Sequence, residues 1–124
     1  RYDASMPEHA GKVLMIVFEI EGQRLQALNG GPQFPFTEAV SLSVSCEDQA
    51  EVDDLWSKLT ADGGRESMCG WLKDKYGLSW QIVPAVLPKL LGAKNRKKAQ
   101  AAINLMMTMK KLDGPALQRE FDEA

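Results

Sequence analysis

Seven residues, GQRLQAL (22–28), return as GLSWQIV (77–83). Each copy runs glycine, two variable positions, a large apolar residue, glutamine and two further apolar residues. Each also follows an apolar stretch and a turn signal, so the chain twice writes an apolar strand, a glycine turn and a glutamine-bearing strand. Repetition on this scale points to duplicated supersecondary units sharing a core. A chain of 124 residues is enough for one such core and too short for two independent ones.

The surroundings of the two copies differ. Ahead of the first stand a polar, Pro- and Gly-containing stretch (1–11) and KVLMIVFEIE, an apolar strand that turns at Glu21-Gly22. NGGPQFPFTE (29–38) then holds too many turn formers for regular structure and reads as a linker. In AVSLSVSC, Val40, Leu42 and Val44 alternate with Ser41, Ser43 and Ser45, which predicts a strand with one face on a helix and one wetter face. The expected helix is DQAEVDDLWSKLTADGG: Asp48 caps it, Glu51 sits three residues on as in a capping box, and Gly63-Gly64 end it. Val52, Leu55, Trp56 and Leu59 form one apolar stripe at helical spacing. RESMCGWLKDKYGLSWQIVP reads as two or three short strands with a turn near residues 75–77. Beyond Pro84 the chain turns helical. AVLPKLLG is a short piece interrupted by Pro88, and the next helical run lines up Ala102, Leu105, Met106, Met109 and Leu112. Pro115 opens a last helix at a position that tolerates proline.

The second copy thus completes a β-α-β-β-β unit, while the first holds only the end of one. ALNGGPQFPFTEAVSLSVSCEDQAEVDDLWSKL, CGWLKDKYGLSWQIVP and MMTMKKLD, with Trp56, Cys69, Trp71 and Trp80 in register, resemble the vicinal oxygen chelate superfamily of glyoxalases, bleomycin-resistance proteins and extradiol dioxygenases. Within it, the PhnB-like, demethylubiquinone methyltransferase-like branch is the most similar. The resemblance implies an α+β fold of paired β-α-β-β-β modules forming a cupped sheet, the first module N-terminally incomplete, with a C-terminal helical extension. On this reading one domain spans 1–124: the tail of the first module (1–31), the second module (32–84) and the C-terminal helices (85–124). The family's remaining strand–helix–strand would stand ahead of Arg1 or be supplied by a second copy of the chain.

In that superfamily histidine or glutamine and glutamate side chains converge on a divalent metal inside the cup. The matching positions here are Gln26, Ala39 and Gln81. Neutral amides are weak ligands that do not offset a cation's charge, and the single histidine, His9, has no partner at ligand spacing. The resemblance therefore leads to a cup without a metal or other cofactor.

Gln26 and Gln81 are the first candidates to line a ligand pocket, with Ser41 and Ser43 leaving room and Trp71 forming an apolar wall with Phe34 and Phe36. Each has an ordinary structural alternative: the amides satisfy neighbouring groups, the serines face water, and the aromatics anchor packing. Glu38 and Asp74 are the acid–base candidates, although Asp74 in KDKYG also suits a turn-organising role. Cys69 has no nearby histidine to activate it. Lys94, Arg96, Lys97, Lys98, Lys110 and Lys111 read as solvated helix faces.

A net charge of −2 and 26% charged residues give no footprint for nucleic acid. No apolar run has the length of a membrane span. Cys46 and Cys69 lack framework spacing and suit a reducing, cytoplasmic setting. No glycine-rich strand-to-helix loop supports a nucleotide-bearing methyl donor. The expected protein is a homodimer that binds an as yet unknown small molecule without a metal. Two alternatives stand beside it: a metal-dependent lyase, isomerase or dioxygenase relative, and a dimeric interaction protein with no small ligand.

Overall fold

The computed structural model describes residues 11–124; His9 lies outside them. Two compact units emerge, one ending at Pro35 and one running Phe36–Ala124.

The described part of the first unit is a hairpin. Strand β1 (Met15–Ile20) pairs antiparallel with β2 (Gln23–Leu28), with Val17 opposite Gln26. The two linking residues, Glu21 (φ 50°) and Gly22 (φ 76°), both take positive φ, as a two-residue turn matched to strand twist requires. Asn29 closes the open end: its backbone N–H donates to Leu14 O at 2.8 Å and its side chain to Val13 O at 3.0 Å.

The second unit begins with the expected β-α-β-β-β order. Strand β3 (Ser41–Cys46) leads into helix α1 (Gln49–Thr60), followed by β4 (Arg65–Glu66), β5 (Trp71–Lys73) and β6 (Ser79–Pro84). The sheet order is β3-β6-β5-β4, with β3 parallel to β6 and the other pairs antiparallel. Parallel neighbours need a crossover connection, and here α1 carries the chain from β3 across to β4, with β5 and β6 filling in behind it.

Helix α1 starts as its sequence dictates: the Glu51 N–H donates to Asp48 Oδ1 at 2.8 Å, and the Glu51 carboxylate reaches back to the Glu47 N–H at 3.1 Å. Its stripe meets one face of the sheet. Val52 and Trp56 pack with Cys46, Leu72 and Ile82 in one buried cluster, flanked by Val44, Leu55, Leu59 and Trp80. Val40 does not join this face. It lies ahead of the β3–β6 pairing, which opens at Ser41 opposite Ser79, and is 68% exposed.

Helices α2 (Val86–Leu91), α3 (Arg96–Met106) and α4 (Gly114–Glu123) build a second core around Leu87, Leu90, Ala102, Leu112 and Leu117. Pro88 does not interrupt α2. It falls in the first turn, where backbone N–H groups have no intrahelical acceptor to lose. The expected methionine stripe outruns its helix: α3 ends at Met106, and Met109 and Leu112 reach the same core from the following loop. Gln49 ties that loop to α1, donating to Leu112 O at 2.9 Å and accepting from the Gly114 N–H at 2.8 Å.

Candidate functional site

Strand alternation gives the four-stranded sheet two chemically different faces. Leu42, Val44, Cys46, Leu72, Trp80 and Ile82 point toward α1. The residues between them point the other way, and the register sorts them into rows. Arg65, Lys73, Ser79 and Ser41 stand side by side across β4, β5, β6 and β3. Trp71, Gln81 and Ser43 form the next row.

Four of the pocket candidates, Ser41, Ser43, Trp71 and Gln81, therefore share one face. Gln81 is half-buried, and its Nε2 donates to Ser41 Oγ at 2.9 Å, which fixes the amide plane and leaves its carbonyl oxygen without a hydrogen bond among the described residues. Ser43 is exposed beside it. Gln26 belongs to the hairpin of the first unit, where it is exposed in the middle of β2.

A cleft of about 190 Å³ opens at the β4–β5 end of this face, lined by Glu38, Arg65, Glu66, Ser67, Trp71, Leu72, Lys73 and the buried Ser79. Glu38 forms an ion pair with Lys73. The hydrogen bond from Lys73 and, after it, the charge of that ammonium hold the Glu38 carboxyl below its ordinary pKa, so it stays an anion rather than a proton donor near neutrality. Ser79 is 1% exposed, and its hydroxyl has no hydrogen-bond partner among the described residues.

Asp74 is bonded to the turn and to the strand after it. Its Oδ1 accepts from the Tyr76 and Leu78 N–H groups at 2.9 and 3.1 Å, and its Oδ2 accepts from Trp80 Nε1 at 2.9 Å. The thiols of Cys46 and Cys69 are free. Cys46 is buried under α1, which pushes its pKa up to about 11; Glu51 and Asp48 add to the effect.

Arg65, Lys73 and Ser79 escaped the sequence reading. The signal was present in the turn: a three-residue loop after Asp74 sets Lys73 opposite Ser79, and the same count carries Arg65 opposite Lys73. Composition alone cannot give that register, because a one-residue slip would send all three to the other face.

Among the described residues, no three His, Cys, Asp or Glu side chains converge as a metal site would need. No described helix is long and apolar enough to cross a membrane.

No protein of curated function matches the chain. A solved PhnB protein from Bacillus cereus is 37% identical, aligns over 68% of this chain and 74% of its own, and superposes with a TM-score of 0.61. A second structure, protein PA1353 from Pseudomonas aeruginosa, is 20% identical over 58% of this chain and 62% of its own, with a TM-score of 0.49, too remote to bear on the site. The family model described as 3-demethylubiquinone-9 3-methyltransferase matches residues 1–83. That span covers the hairpin and the whole polar sheet face, and with the Bacillus likeness it fixes the relationship: the chain belongs to the 3-demethylubiquinone-9 3-methyltransferase family of PhnB-like proteins.

Proposed function

We propose that this protein is a metal-free, small-molecule-binding member of the vicinal oxygen chelate superfamily that works as a cytoplasmic homodimer. The observation that carries the reading is the division of the sheet. One face is sealed by α1, and the other presents small hydroxyls, a fixed amide and a half-buried indole around an open cleft. A few convergent polar groups beside an apolar wall are what a small organic ligand needs for orientation and contact.

The groups that the family implies fit these residues poorly. The positions matching its metal ligands hold Gln26, Ala39 and Gln81, and a neutral amide neither offsets the charge of a divalent ion nor competes with imidazole or carboxylate. Methyl transfer, implied by the family's name, would need a cradle for a nucleotide-bearing donor. The β3–α1 connection is Glu47-Asp48 with no glycine, and the Asp48 carboxylate already occupies the first turn of the helix. The cytoplasmic setting rests on two thiols that stay unpaired.

A homodimer accounts for the hairpin. Met15, Ile16, Val17 and Phe18 are exposed at consecutive positions of β1, and Ile20 follows after Glu19, so apolar side chains show on both faces. Two strands alone are marginal in water, and a second copy of the chain is the cover proposed.

Thermal denaturation of the protein against a panel of small metabolites tests the binding. A ligand at about a hundred times its dissociation constant adds about 2.7 kcal/mol of stability, and Ser43→Trp, which fills the polar face, should abolish the gain. A panel-wide absence of any shift, or a stoichiometric transition ion contacting Gln81 in the purified protein, would sink the proposal.

A further inference from the structure

We infer that the cleft beside the Gln81 row takes the acidic end of a small monocarboxylate, held by the Arg65 guanidinium and the Ser79 hydroxyl with the ligand's body against Trp71. This deepens the proposed binding role and rests on it.

The charges select the class. Lys73 is already matched by Glu38. Glu66 also lines the cleft, but its Oε1 accepts from Trp56 Nε1 at 2.8 Å, on the α1 side of the sheet. Arg65 has no ion pair or side-chain hydrogen bond among the described residues, so one cation on the cleft wall is unspent. A guanidinium is a planar fork that matches a carboxylate through two parallel hydrogen bonds. A single guanidinium without an ion pair suits a monoanion, whereas a phosphate dianion would meet added repulsion from Glu38 and Glu66 in the same lining.

The buried hydroxyl supplies the second, independent indication. A polar atom shut away from water without a partner is destabilising, and native proteins hold few of them. Ser79 lines the cleft, one strand across from Lys73 and two from Arg65. Lys73 stands between the two in the row, so a carboxylate held by Arg65 reaches the Ser79 hydroxyl when the Lys73–Glu38 pair at the cleft mouth swings aside.

Size sets the remaining limit. About 190 Å³ lies below the roughly 300–1,000 Å³ of pockets for drug-sized ligands. An enclosed cavity of about 150 Å³ takes benzene, so one small ring or a short chain fills this cleft while an acidic group reaches the Arg65 rim.

Benzoate and its neutral isostere benzamide are the probes, followed by the indole N–H resonances in NMR titrations of the full chain, with Trp71→Phe assigning the Trp71 signal. Benzoate should shift that signal, and benzamide should bind about tenfold more weakly or worse. Arg65→Gln, at an exposed position, should bring benzoate down to the level of benzamide. Ser79→Ala should weaken benzoate several-fold while raising the melting temperature of the ligand-free protein, which a merely structural hydroxyl would not do. Equal binding of the two probes, indifference to Arg65→Gln, or a lowered melting temperature in Ser79→Ala overturns the carboxylate assignment. If other panel compounds still shift the Ser43 and Gln81 amides, the broader binding role survives that failure; if none does, both fall.

Discussion

The hairpin strand β2 and the sheet strand β6 carry the same message and meet different fates. Each follows a turn glycine with positive φ, Gly22 at 76° and Gly77 at 88°, and each bears a glutamine four residues later. In β6, Ser79, Ile82 and Pro84 are buried, and Gln81 is locked to Ser41. In β2 only Leu25 is even half-buried. Local pattern is thus sufficient to make a strand and aim its side chains. Burial comes from the cover, and α1 provides it in one unit while no described helix does so in the other.

The sharpest way to break this comparison is through glycines. Gly70 has φ 84°, and a Cβ there would stand 2.8 Å from Leu112 Cδ1 and 3.1 Å from Ile82 O. Its N–H donates to Lys110 O at 2.8 Å, so the peptide cannot simply swing away. Left-handed backbone costs an L-residue roughly 1–2 kcal/mol, and forcing a methyl into packed surroundings adds about 1–3. Gly70→Ala should therefore destabilise the second unit by roughly 3 kcal/mol in urea unfolding. Gly22→Ala, with φ 76° and nothing within 4 Å of the new methyl, should cost only the backbone part, roughly 1 kcal/mol. Equal losses would mean that packing does not separate the two regions.

Alkaline titration probes the covered face. The Cys46 thiol is buried and keeps its proton to about pH 11, whereas the unfolded thiol ionises near its ordinary 9.0. Between those values the unfolded chain has lost a proton that the folded chain retains, so stability falls as pH rises and levels off above about 11. Two units correspond to about 2–3 kcal/mol at most. Unfolding free energies measured from pH 8 to 11 should show this extra decline in the native protein and lack it in Cys46→Ala, whose cavity cost is independent of pH. Parallel slopes would show that Cys46 is not sealed from solvent.

Much of the sheet was legible because its signals are local. The alternation of SLSVSC, the Asp48 cap and the Val52–Trp56 stripe each act within a few residues and each formed as read. Pro88 misled because a proline's effect depends on its place in a helix, and AVLPKLLG does not announce where its first turn begins. The polar face was half legible. Gln81, Ser41, Ser43 and Trp71 follow from alternation, but Arg65, Lys73 and Ser79 assemble only once the register joins strands that the sequence shows separately. Asp74 was readable as a carboxylate and as a turn former, and it accepts two bonds from the turn amides and one from the Trp80 indole.

The smallest effect isolates the hairpin turn. Glu21 takes φ 50° between β1 and β2, a conformation that a glutamate side chain disfavours and asparagine tolerates well. The partner turn at Asp74–Gly77 avoids this cost by placing glycine at its left-handed position and bonding the Asp74 carboxylate to the loop amides. Glu21→Asn should relieve roughly 0.5–1 kcal/mol of backbone strain. The effect should be local: hydrogen exchange at the β1–β2 amides should slow by about two- to fivefold, while amides of β5 and β6 keep their rates. Uniform slowing across both strand pairs would show that the hairpin opens only with the rest of the chain. Unchanged hairpin rates would place the limiting cost elsewhere than the turn, in apolar faces that two strands cannot cover.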